Sequence, residues 1–327
     1  MKTKQYLSIL AVVIGFLCFS TSCDVLVDSS HDESYGELTN EEEEETNNST
    51  TTNTNSGNEE EEETTTENPS DNTPPTSNTR LKVMTWNLYN FGKSKDDSEM
   101  DFIAKTMRGY DVVAIQEVST GPAGAQAVAR LVDKLDRMGA NWDYKVSDPT
   151  DGPGTERYAY VWKSSRVSLS GRAWLSGPLK DKVDREPYLA RFKTKKGQTL
   201  LIASFHAIPK AKKPATEIVH LESLDKSYSK DNLMVMGDFN YGADKPAFEK
   251  LINRGYDPVV NDQKTSLKMK EKNGEHLAEP YDNIFYEKDA FKVRRAGVID
   301  FSSQFSTLKE ARTISDHIPV WVEVEWL

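Results

Sequence analysis

Short apolar runs of strand length recur from residue 81 to residue 325, and this succession limits the fold more than any other feature of the sequence. Several runs follow one another across tight polar turns such as KKGQ at 195–198, which is typical of antiparallel neighbours. Longer amphipathic runs interrupt the series. We therefore expect an α/β fold in which two sheets pack face to face with helices outside, rather than one doubly wound sheet.

The apolar patterns also give expected boundaries for the single folded domain, residues 80–327. Helices are expected at 98–108, 122–138 and 214–228. Strands are expected at 81–88, 111–118, 157–163, 166–175, 188–194, 199–205, 233–239, 281–286, 291–297 and 319–325. A region of this length can bury one large core.

Residues 1–23 have the pattern of a secretory signal peptide. Lys2 and Lys4 precede an apolar run that is too short to cross a bilayer as a helix. The run ends in STSC at 20–23, which is similar to a lipoprotein cleavage site with Cys23 as the lipidated residue. We expect an exported protein anchored at the outer membrane or cell surface; an ordinary signal would instead leave it periplasmic or secreted.

Residues 24–79 have a composition that does not support folding. Two runs of five glutamates lie among Thr, Asn and Ser, followed by several prolines. Such a segment buries too little apolar area to offset its chain entropy, and its like charges extend it. We expect a disordered tether that holds the domain away from a membrane, or else a solubilising tail.

Charge and cysteine content differ between these regions. The chain holds 41 basic and 52 acidic residues, a net charge of −11. Residues 24–79 contain 17 of the acidic residues and no Lys or Arg, and residues 1–23 contain two lysines, which leaves the domain 39 basic and 35 acidic residues, a net of +4. A mildly basic domain permits a polyanionic substrate without requiring one. Both cysteines lie at or before position 23, so the domain has no thiolate chemistry.

Polar groups stand at the ends of the expected strands. They are Asn87, Glu117, Glu156, His206, Asp238, Asn240, Asp282, Asp316 and His317. Any one of them alone is more simply a turn, cap or structural residue, but nine at strand ends suggest a site. Carboxylates with amides suit Mg²⁺, Mn²⁺ or Ca²⁺ rather than zinc. Two histidines with two further carboxylates add two acid–base pairs, which suits hydrolysis of a phosphate ester.

These residues lie in stretches that resemble the endonuclease/exonuclease/phosphatase superfamily, and within it the deoxyribonuclease I branch. The stretches are TWNLYNFG (85–92), DVVAIQEV (111–118), ERYAYVWKSSRVSL (156–169), DREPYLARF (184–192), SFHAIP (204–209), MVMGDFN (234–240), YDNI (281–284) and ISDHIPV (314–320). They cover residues 81–326 in the family's order. The resemblance implies a four-layer α/β/β/α sandwich with two mixed sheets.

The resemblance also implies roles for individual residues. The metal ligands would be Glu117, with Asn87 and Asp316 beside it. The acid–base pairs would be His206 with Glu156 and His317 with Asp282. Asp238 and Asn240 would contact the scissile phosphate or a second metal, Asn87 would also bind the substrate, and Arg185 would contact the nucleic-acid backbone. Mg²⁺, or Mn²⁺, would be the cofactor. Asp181 and Glu186 stand where such enzymes bind structural Ca²⁺, although few neighbouring residues match.

The resemblance has one departure that concerns specificity. Gly154 and Ser119 replace a Tyr and an Arg that enter the minor groove in that branch, so it does not extend to reading of B-form DNA. Phosphate contacts still permit binding without sequence preference. We expect a monomeric nuclease that cuts DNA. The alternatives are a phosphodiesterase or phosphatase acting on a lipid headgroup or sugar phosphate, and, less favoured, a surface binding protein without catalysis.

Overall fold

The computed structural model describes residues 80–92 and 95–327. The expected signal peptide, the lipid attachment at Cys23 and the tether lie outside the described residues, so these expectations stay predictions. Among the helices that are described, none is long and apolar enough to cross a membrane.

The described residues form fifteen strands, six α-helices and four single-turn 3-10 helices. The strands are β1 (Arg80–Phe91), β2 (Val112–Val118), β3 (Trp142–Val146), β4 (Arg157–Lys163), β5 (Val167–Leu169), β6 (Trp174–Leu175), β7 (Tyr188–Thr194), β8 (Thr199–His206), β9 (Leu233–Asp238), β10 (Tyr256–Pro258), β11 (Leu267–Lys272), β12 (Glu275–Leu277), β13 (Asp282–Glu287), β14 (Phe291–Val298) and β15 (Val320–Trp326). The helices are α1 (Asp97–Met107), α2 (Pro122–Arg137), α3 (Ala215–Ile218), α4 (Glu222–Ser227), α5 (Glu249–Ile252) and α6 (Leu308–Ile314).

The strands form two large mixed sheets. The first has the order β14-β15-β1-β2-β4-β3, and the second has the order β10-β13-β9-β8-β7-β5 with β6 beside β7. Each sheet contains one parallel pair, β1 with β2 and β8 with β9, and its other neighbours are antiparallel. Strands β11 and β12 form a separate hairpin.

Three apolar layers hold the molecule together. Alternate strand residues such as Val83 and Ile202 fill the space between the two sheets, while the opposite face of the first sheet packs on α1, α2 and α6 through residues such as Trp86. The outer face of the second sheet packs on α3, α4 and α5 through residues such as Phe205. The prediction of a four-layer α/β/β/α sandwich is confirmed.

Two expected elements are interrupted. The single helix expected at 214–228 is α3 and α4, joined by backbone hydrogen bonds three residues apart, such as Leu221 N–H to Ile218 O. The apolar residues Ile218, Leu221 and Leu224 repeat every third position, which fits this tighter winding and keeps all three buried. The strand expected at 166–175 is β5 and β6, separated at Gly171, whose φ is +77°.

The parallel pairs determine where the site forms. The carboxyl ends of β1 and β2 lie at one edge of the first sheet, and those of β8 and β9 lie at one edge of the second. The antiparallel neighbours β4, β13 and β15 begin at these same edges. Polar residues that end the parallel strands therefore lie beside polar residues that precede or begin the antiparallel ones.

Candidate active site

Pairing in the second sheet places three predicted site residues side by side. His206 ends β8 opposite Asp238 of β9, and Asp238 is opposite Asp282 at the start of β13. All three residues are buried. The strand register thus fixes them on a rigid frame.

His206 forms a buried pair with Glu156. Its Nδ1 lies 2.8 Å from Oε2 of Glu156, and its backbone N–H donates to the hydroxyl of Tyr158 at 3.1 Å. The other oxygen of Glu156 accepts the backbone N–H of Glu117 at 3.1 Å. Glu156 therefore orients the ring so that Nε2 faces the interior of the site.

His317 forms the matching pair with Asp282. Its Nδ1 lies 2.7 Å from Oδ2 of Asp282, and that oxygen also accepts the hydroxyl of Thr265 at 2.7 Å. The backbone N–H of His317 donates to Ser315 Oγ at 3.0 Å. Each histidine thus pairs with a carboxylate through Nδ1, and its Nε2 atom is available for proton transfer.

Both rings direct Nε2 at the same oxygen of Asp238. The distances from Oδ2 are 3.4 Å for His206 and 3.5 Å for His317, so the two Nε2 atoms can be no more than 6.9 Å apart, the sum of the two. Two imidazoles at this separation can contact one tetrahedral phosphate from two sides.

The charges in this cluster shift one another's pKa. Burial alone would lower the pKa of His317. The negative charges of Asp282 and Asp238 outweigh burial, so the pKa of His317 is well above its ordinary value. Burial also lowers the pKa of His206, and Glu156 outweighs it, so the net shift is upward. Burial raises the pKa of Asp282 to about 6 against the opposing charge of His317. Burial alone would raise the pKa of Asp238. The positive charges of His317 and His206 outweigh burial, so the net shift of the Asp238 pKa is downward.

Glu117 enters the site through irregular backbone. Its φ is +61°, at a bulge where the register of β2 against β4 shifts. Its Oε2 accepts the backbone N–H of Asn90 at 2.8 Å. A left-handed conformation at a residue with a side chain costs about 1–3 kcal/mol and concentrates at functional sites. The strained backbone therefore supports the assignment of Glu117 to the site.

Asn87 joins the two sheets at the centre of the cluster. Its side-chain amide donates to Glu117 Oε1 at 3.0 Å and to Asp238 Oδ2 at 3.1 Å. Glu117 belongs to the first sheet and Asp238 to the second. The predicted gathering of Glu117, both histidine pairs and Asp238 into one cluster is thus observed.

Asp316 lies in the connection between α6 and β15, and one of its carboxylate oxygens has no hydrogen-bond partner among the described residues. Its Oδ2 accepts from Arg312 at 3.2 Å, whereas its Oδ1 is buried and has no hydrogen-bond partner within the described part of the chain. Asp282 Oδ1 is in the same situation. A buried carboxylate oxygen without a partner is costly unless a ligand or ion satisfies it.

These donors fit a divalent cation at two alternative centres. Asp238, Asp282 and His317 each offer a ligand atom, all within 4.8 Å of one another, and no other group of three His, Cys or acidic residues is so close among the described residues. The predicted set is Glu117, Asn87 and Asp316. Its two carboxylates are oxygen donors that suit a magnesium-type ion, whereas the side-chain oxygen of Asn87 accepts the backbone N–H of Tyr89 at 3.0 Å. Ligation at this set leaves His317 available for proton transfer.

Asn240 and Gly237 shape the backbone around Asp238. The backbone N–H of Asn240, whose φ is +49°, donates to Asp238 Oδ1 at 2.8 Å, and its side-chain amide donates to Ala207 O at 3.0 Å. A Cβ on Gly237, whose φ is +141°, would lie 1.9 Å from Phe205 O. Only glycine lets β9 approach β8 closely enough here.

Arg185 is more deeply embedded than its predicted role implies. It is 7% exposed, and its Nε and Nη2 donate to the carbonyl oxygens of His206 and Ala207 at 2.9 and 2.6 Å. Its Nη1 lies 3.5 Å from Glu156 Oε2. Arg185 thus braces the chain that carries His206, and a contact with the nucleic-acid backbone stays a prediction.

A cavity of about 560 Å³ opens beside the cluster. Its lining includes Glu117, Glu156, Arg185 and His206, together with Gly121 and Ala123 at the start of α2. Gly154 lies just outside this lining, where its N–H donates to Asp184 Oδ2 at 3.0 Å and an added Cβ would lie 2.4 Å from the same oxygen. The backbone at 154 is therefore packed against Asp184.

The predicted calcium ligands are not gathered in the same way. Glu186 is buried and accepts the backbone N–H of Asp151 at 3.1 Å, whereas Asp181 is exposed. Within the described residues they do not belong to a group of three metal-binding side chains. A structural Ca²⁺ site stays a prediction.

Sequence reasoning missed the residues that support the site. Tyr158, Thr265 and Ser315 hydrogen bond to the two histidines or their carboxylates. Ser315 and Tyr158 lie inside the stretches SDHIP and ERY, so a signal was present. Thr265 lies 17 positions before Asp282, and only the folded chain shows the connection.

The chain is similar to a known family and to curated proteins of that family. A model of the endonuclease/exonuclease/phosphatase family matches residues 84–317. The chain is 29% identical to pig deoxyribonuclease-1-like 1 over 243 residues, which is 69% of this chain and 74% of the relative. It is 26% identical over 275 residues to a deoxyribonuclease of Thioalkalivibrio sp. strain K90mix, covering 77% and 73% of the two chains.

Solved structures share the fold at lower identity. A mannosyl-6-phosphatase of Bacteroides thetaiotaomicron superposes with a TM-score of 0.54 and 17% identity, over 76% of this chain and 99% of that one. At this identity the similarity shows the fold alone.

Proposed function

This chain belongs to the endonuclease/exonuclease/phosphatase family, and on that basis we propose that it is a divalent-metal-dependent nuclease that hydrolyses phosphodiester bonds of DNA. A phosphate-ester hydrolase follows from the family and from relatives named deoxyribonucleases. The observation that carries the proposal is the convergence of His206 and His317 on Asp238, each ring held by its own carboxylate.

In this proposal the two histidines have complementary tasks. One ring removes a proton from the attacking water through Nε2, and the other donates a proton to the leaving oxygen. Glu156 and Asp282 hold the Nδ1 atoms and stabilise the imidazolium forms. Asp238, Asn240 and Asn87 position the phosphate between the rings. A divalent cation held by Glu117, Asn87 and Asp316 would neutralise the charge that develops on the phosphate.

Several features favour DNA as the substrate. The two relatives compared here are named deoxyribonucleases, and the domain carries a net charge of +4. Positions 119 and 154 do not add to the case for DNA: the backbone at Gly154 packs against Asp184 and Ser119 is short, so neither position projects a large side chain toward a groove. Binding would rest on phosphate contacts, so we expect little sequence preference and steep salt dependence.

A direct test uses several substrates and several ions. The purified chain is incubated with plasmid DNA, RNA or a lipid phosphodiester, each in Mg²⁺, Mn²⁺, Ca²⁺ or EDTA. We expect plasmid cleavage with Mg²⁺ or Mn²⁺ and none in EDTA or with His206→Ala. Cleavage that survives EDTA, or that His206→Ala leaves intact, would contradict the mechanism.

A phosphodiesterase or phosphatase for a lipid headgroup or sugar phosphate is the second candidate. The observation in its favour is the absence of large groove-facing side chains at positions 119 and 154. The structural relative from Bacteroides thetaiotaomicron, a mannosyl-6-phosphatase, shows that this fold serves a phosphatase. Faster turnover of the lipid phosphodiester than of DNA in the same test would favour this candidate.

We also propose that the enzyme acts outside the cytoplasm as a monomer. Residues 1–23 support export, and STSC at 20–23 supports lipid attachment at Cys23 with residues 24–79 as the tether. Metabolic labelling with a radioactive fatty acid tests the anchor: the wild-type chain should be labelled and a Cys23→Ser chain should not. If neither chain is labelled, the lipid anchor is contradicted and the alternative of an ordinary secreted enzyme is favoured.

A further inference from the structure

Tyr89 is an exposed aromatic residue beside the candidate active site, and the proposed mechanism does not use it. It is 42% exposed, whereas most large apolar side chains of the domain are buried. Its φ is +38°, and the φ of the next residue, Asn90, is +53°. A left-handed conformation is rare for a bulky residue, and such outliers concentrate at functional sites. Both the backbone and the side chain of Tyr89 therefore need an explanation.

The backbone at positions 89 and 90 holds two residues of the proposed metal centre. The N–H of Tyr89 donates to Asn87 Oδ1 at 3.0 Å, and the N–H of Asn90 donates to Glu117 Oε2 at 2.8 Å. These bonds account for the left-handed backbone, because it directs two successive N–H groups at the site. They do not account for the ring, since glycine or asparagine adopts the same backbone at lower cost.

The side chain of Tyr89 lies at the rim of the site. Within the described part of the chain, its hydroxyl makes no hydrogen bond and its ring packs on no other aromatic ring. Because the N–H groups on both sides of its Cα bind Asn87 and Glu117, the side chain leaves the backbone directly beside the cluster. The ring is therefore available to a molecule bound there.

A second ring lies beside the cluster on the other sheet. Tyr281 directly precedes Asp282 at the start of β13, and its ring centroid lies 6.4 Å from that of His317, with 30° between the ring planes. Tyr281 is partly exposed. One tyrosine thus stands next to Glu117 in the first sheet, and another stands next to His317.

From these positions we propose that Tyr89 is a substrate-binding residue that stacks on an unpaired base next to the scissile phosphate, with Tyr281 as a second stacking surface. Single-stranded DNA would then be preferred to duplex, because paired bases keep their faces stacked on one another. Aromatic stacking tolerates any base, so this contact adds affinity without sequence preference. It also fits the lack of large groove-facing side chains at positions 119 and 154. This inference rests on the proposed nuclease function.

The test measures kcat/KM with Mg²⁺ for a single-stranded DNA oligonucleotide and for the same sequence in a duplex. Tyr89→Phe keeps the ring. Tyr89→Asn removes the ring and tolerates positive φ, so the backbone that holds Glu117 is retained. Tyr144→Asn is the matched control, because Tyr144 is 39% exposed and lies on β3 at the edge of the first sheet. Thermal unfolding of each variant in EDTA checks the fold.

We expect the wild-type chain to cut the single strand faster than the duplex. Tyr89→Asn should lower the single-strand to duplex ratio of kcat/KM by about tenfold, which is within the range for loss of one stacking ring. Tyr89→Phe and Tyr144→Asn should keep the wild-type ratio. The Tm of Tyr89→Asn should not fall below that of the wild-type chain, because asparagine adopts the left-handed backbone more readily.

Two results would overturn this inference alone: a wild-type chain that cuts the duplex at least as fast as the single strand, or a ratio that Tyr89→Asn leaves unchanged. An unchanged ratio with both rates lowered would show that Tyr89 acts only through the backbone beside Glu117. A wild-type chain that cuts neither substrate would overturn the proposed nuclease and this inference together.

Discussion

His206 lies near the middle of the domain sequence and His317 near its C-terminal end, yet their Nε2 atoms face one oxygen of Asp238 at 3.4 and 3.5 Å. Each ring is held through Nδ1 by its own buried carboxylate. This near-symmetric arrangement gives the site two proton-transfer groups that share one anion. The two histidines should therefore act as a unit.

Substitution of either histidine should remove most of the activity. His206→Ala and His317→Ala should each lower kcat by about 10²–10⁴-fold, the usual contribution of general acid–base catalysis. The double variant should lose little more than the worse single variant, because groups that act together are not additive. Single-turnover cleavage of plasmid DNA measures this. His220→Ala, in the turn between α3 and α4, is the control. If the fold-losses of kcat in the two single variants multiply in the double variant, the two histidines act independently and not as a unit.

The Glu156–His206 pair should be visible as a function of pH. The pKa of His206 is raised in the folded protein, so the pair stabilises the fold below the unfolded value of about 6.5. That contribution is lost as pH rises through the folded pKa. Glu156→Gln should lower the pKa of His206 and reduce the free energy of unfolding mainly at the acidic end of this window. NMR titration of the metal-free protein tests this; an unchanged His206 pKa would rule out the assigned cause.

Gly237→Ala should destabilise the domain through the backbone beside Asp238. The added Cβ would lie 1.9 Å from Phe205 O at a φ of +141°, so β8 and β9 would have to separate. We expect a loss of about 2–3 kcal/mol in the free energy of unfolding. Urea denaturation measures it. Gly109→Ala is the control because a Cβ there meets nothing within 4 Å. Equal stability of the two variants would show that the backbone can relax at Gly237.

The sequence predicted the layers and the site better than the connections. Strands β4 and β7 were predicted at their observed boundaries because both are apolar and bounded by polar turns. Strands β3 and β11 were missed, since Trp142–Val146 and Leu267–Lys272 are mostly polar and form through pairing with neighbours. Helix α6 was also missed, although Thr307 and Glu310 form a capping box that the sequence already contains.

Within the site, residue identities were predictable and environments were not. The stretches GDFN and SDHIP identify Asp238 and His317 directly. The burial of Arg185 and Lys95 could not be predicted, because long basic side chains are usually exposed and their carbonyl partners are distant in sequence. The left-handed backbone of Glu117 likewise depends on a bulge between two strands.

The two alternative metal centres make opposite predictions for metal binding. If the ion binds at Glu117, Asn87 and Asp316, then Glu117→Gln and Asp316→Asn should each weaken Mn²⁺ binding by at least about tenfold, because each removes a charged oxygen ligand. His317→Ala removes a donor from the Asp238–Asp282–His317 group and should leave the affinity within about threefold, because no proposed ligand is lost.

Calorimetry with Mn²⁺ at neutral pH distinguishes the two centres without relying on activity. EDTA should abolish cleavage of plasmid DNA by the wild-type chain, and added Mg²⁺ should restore it. Asp133→Asn on the exposed face of α2 is the matched control for loss of a carboxylate. Tight Mn²⁺ binding in Glu117→Gln together with weak binding in His317→Ala would place the ion between Asp238 and Asp282 instead. The two histidines could then no longer share the proton transfers, because one of them would be a metal ligand.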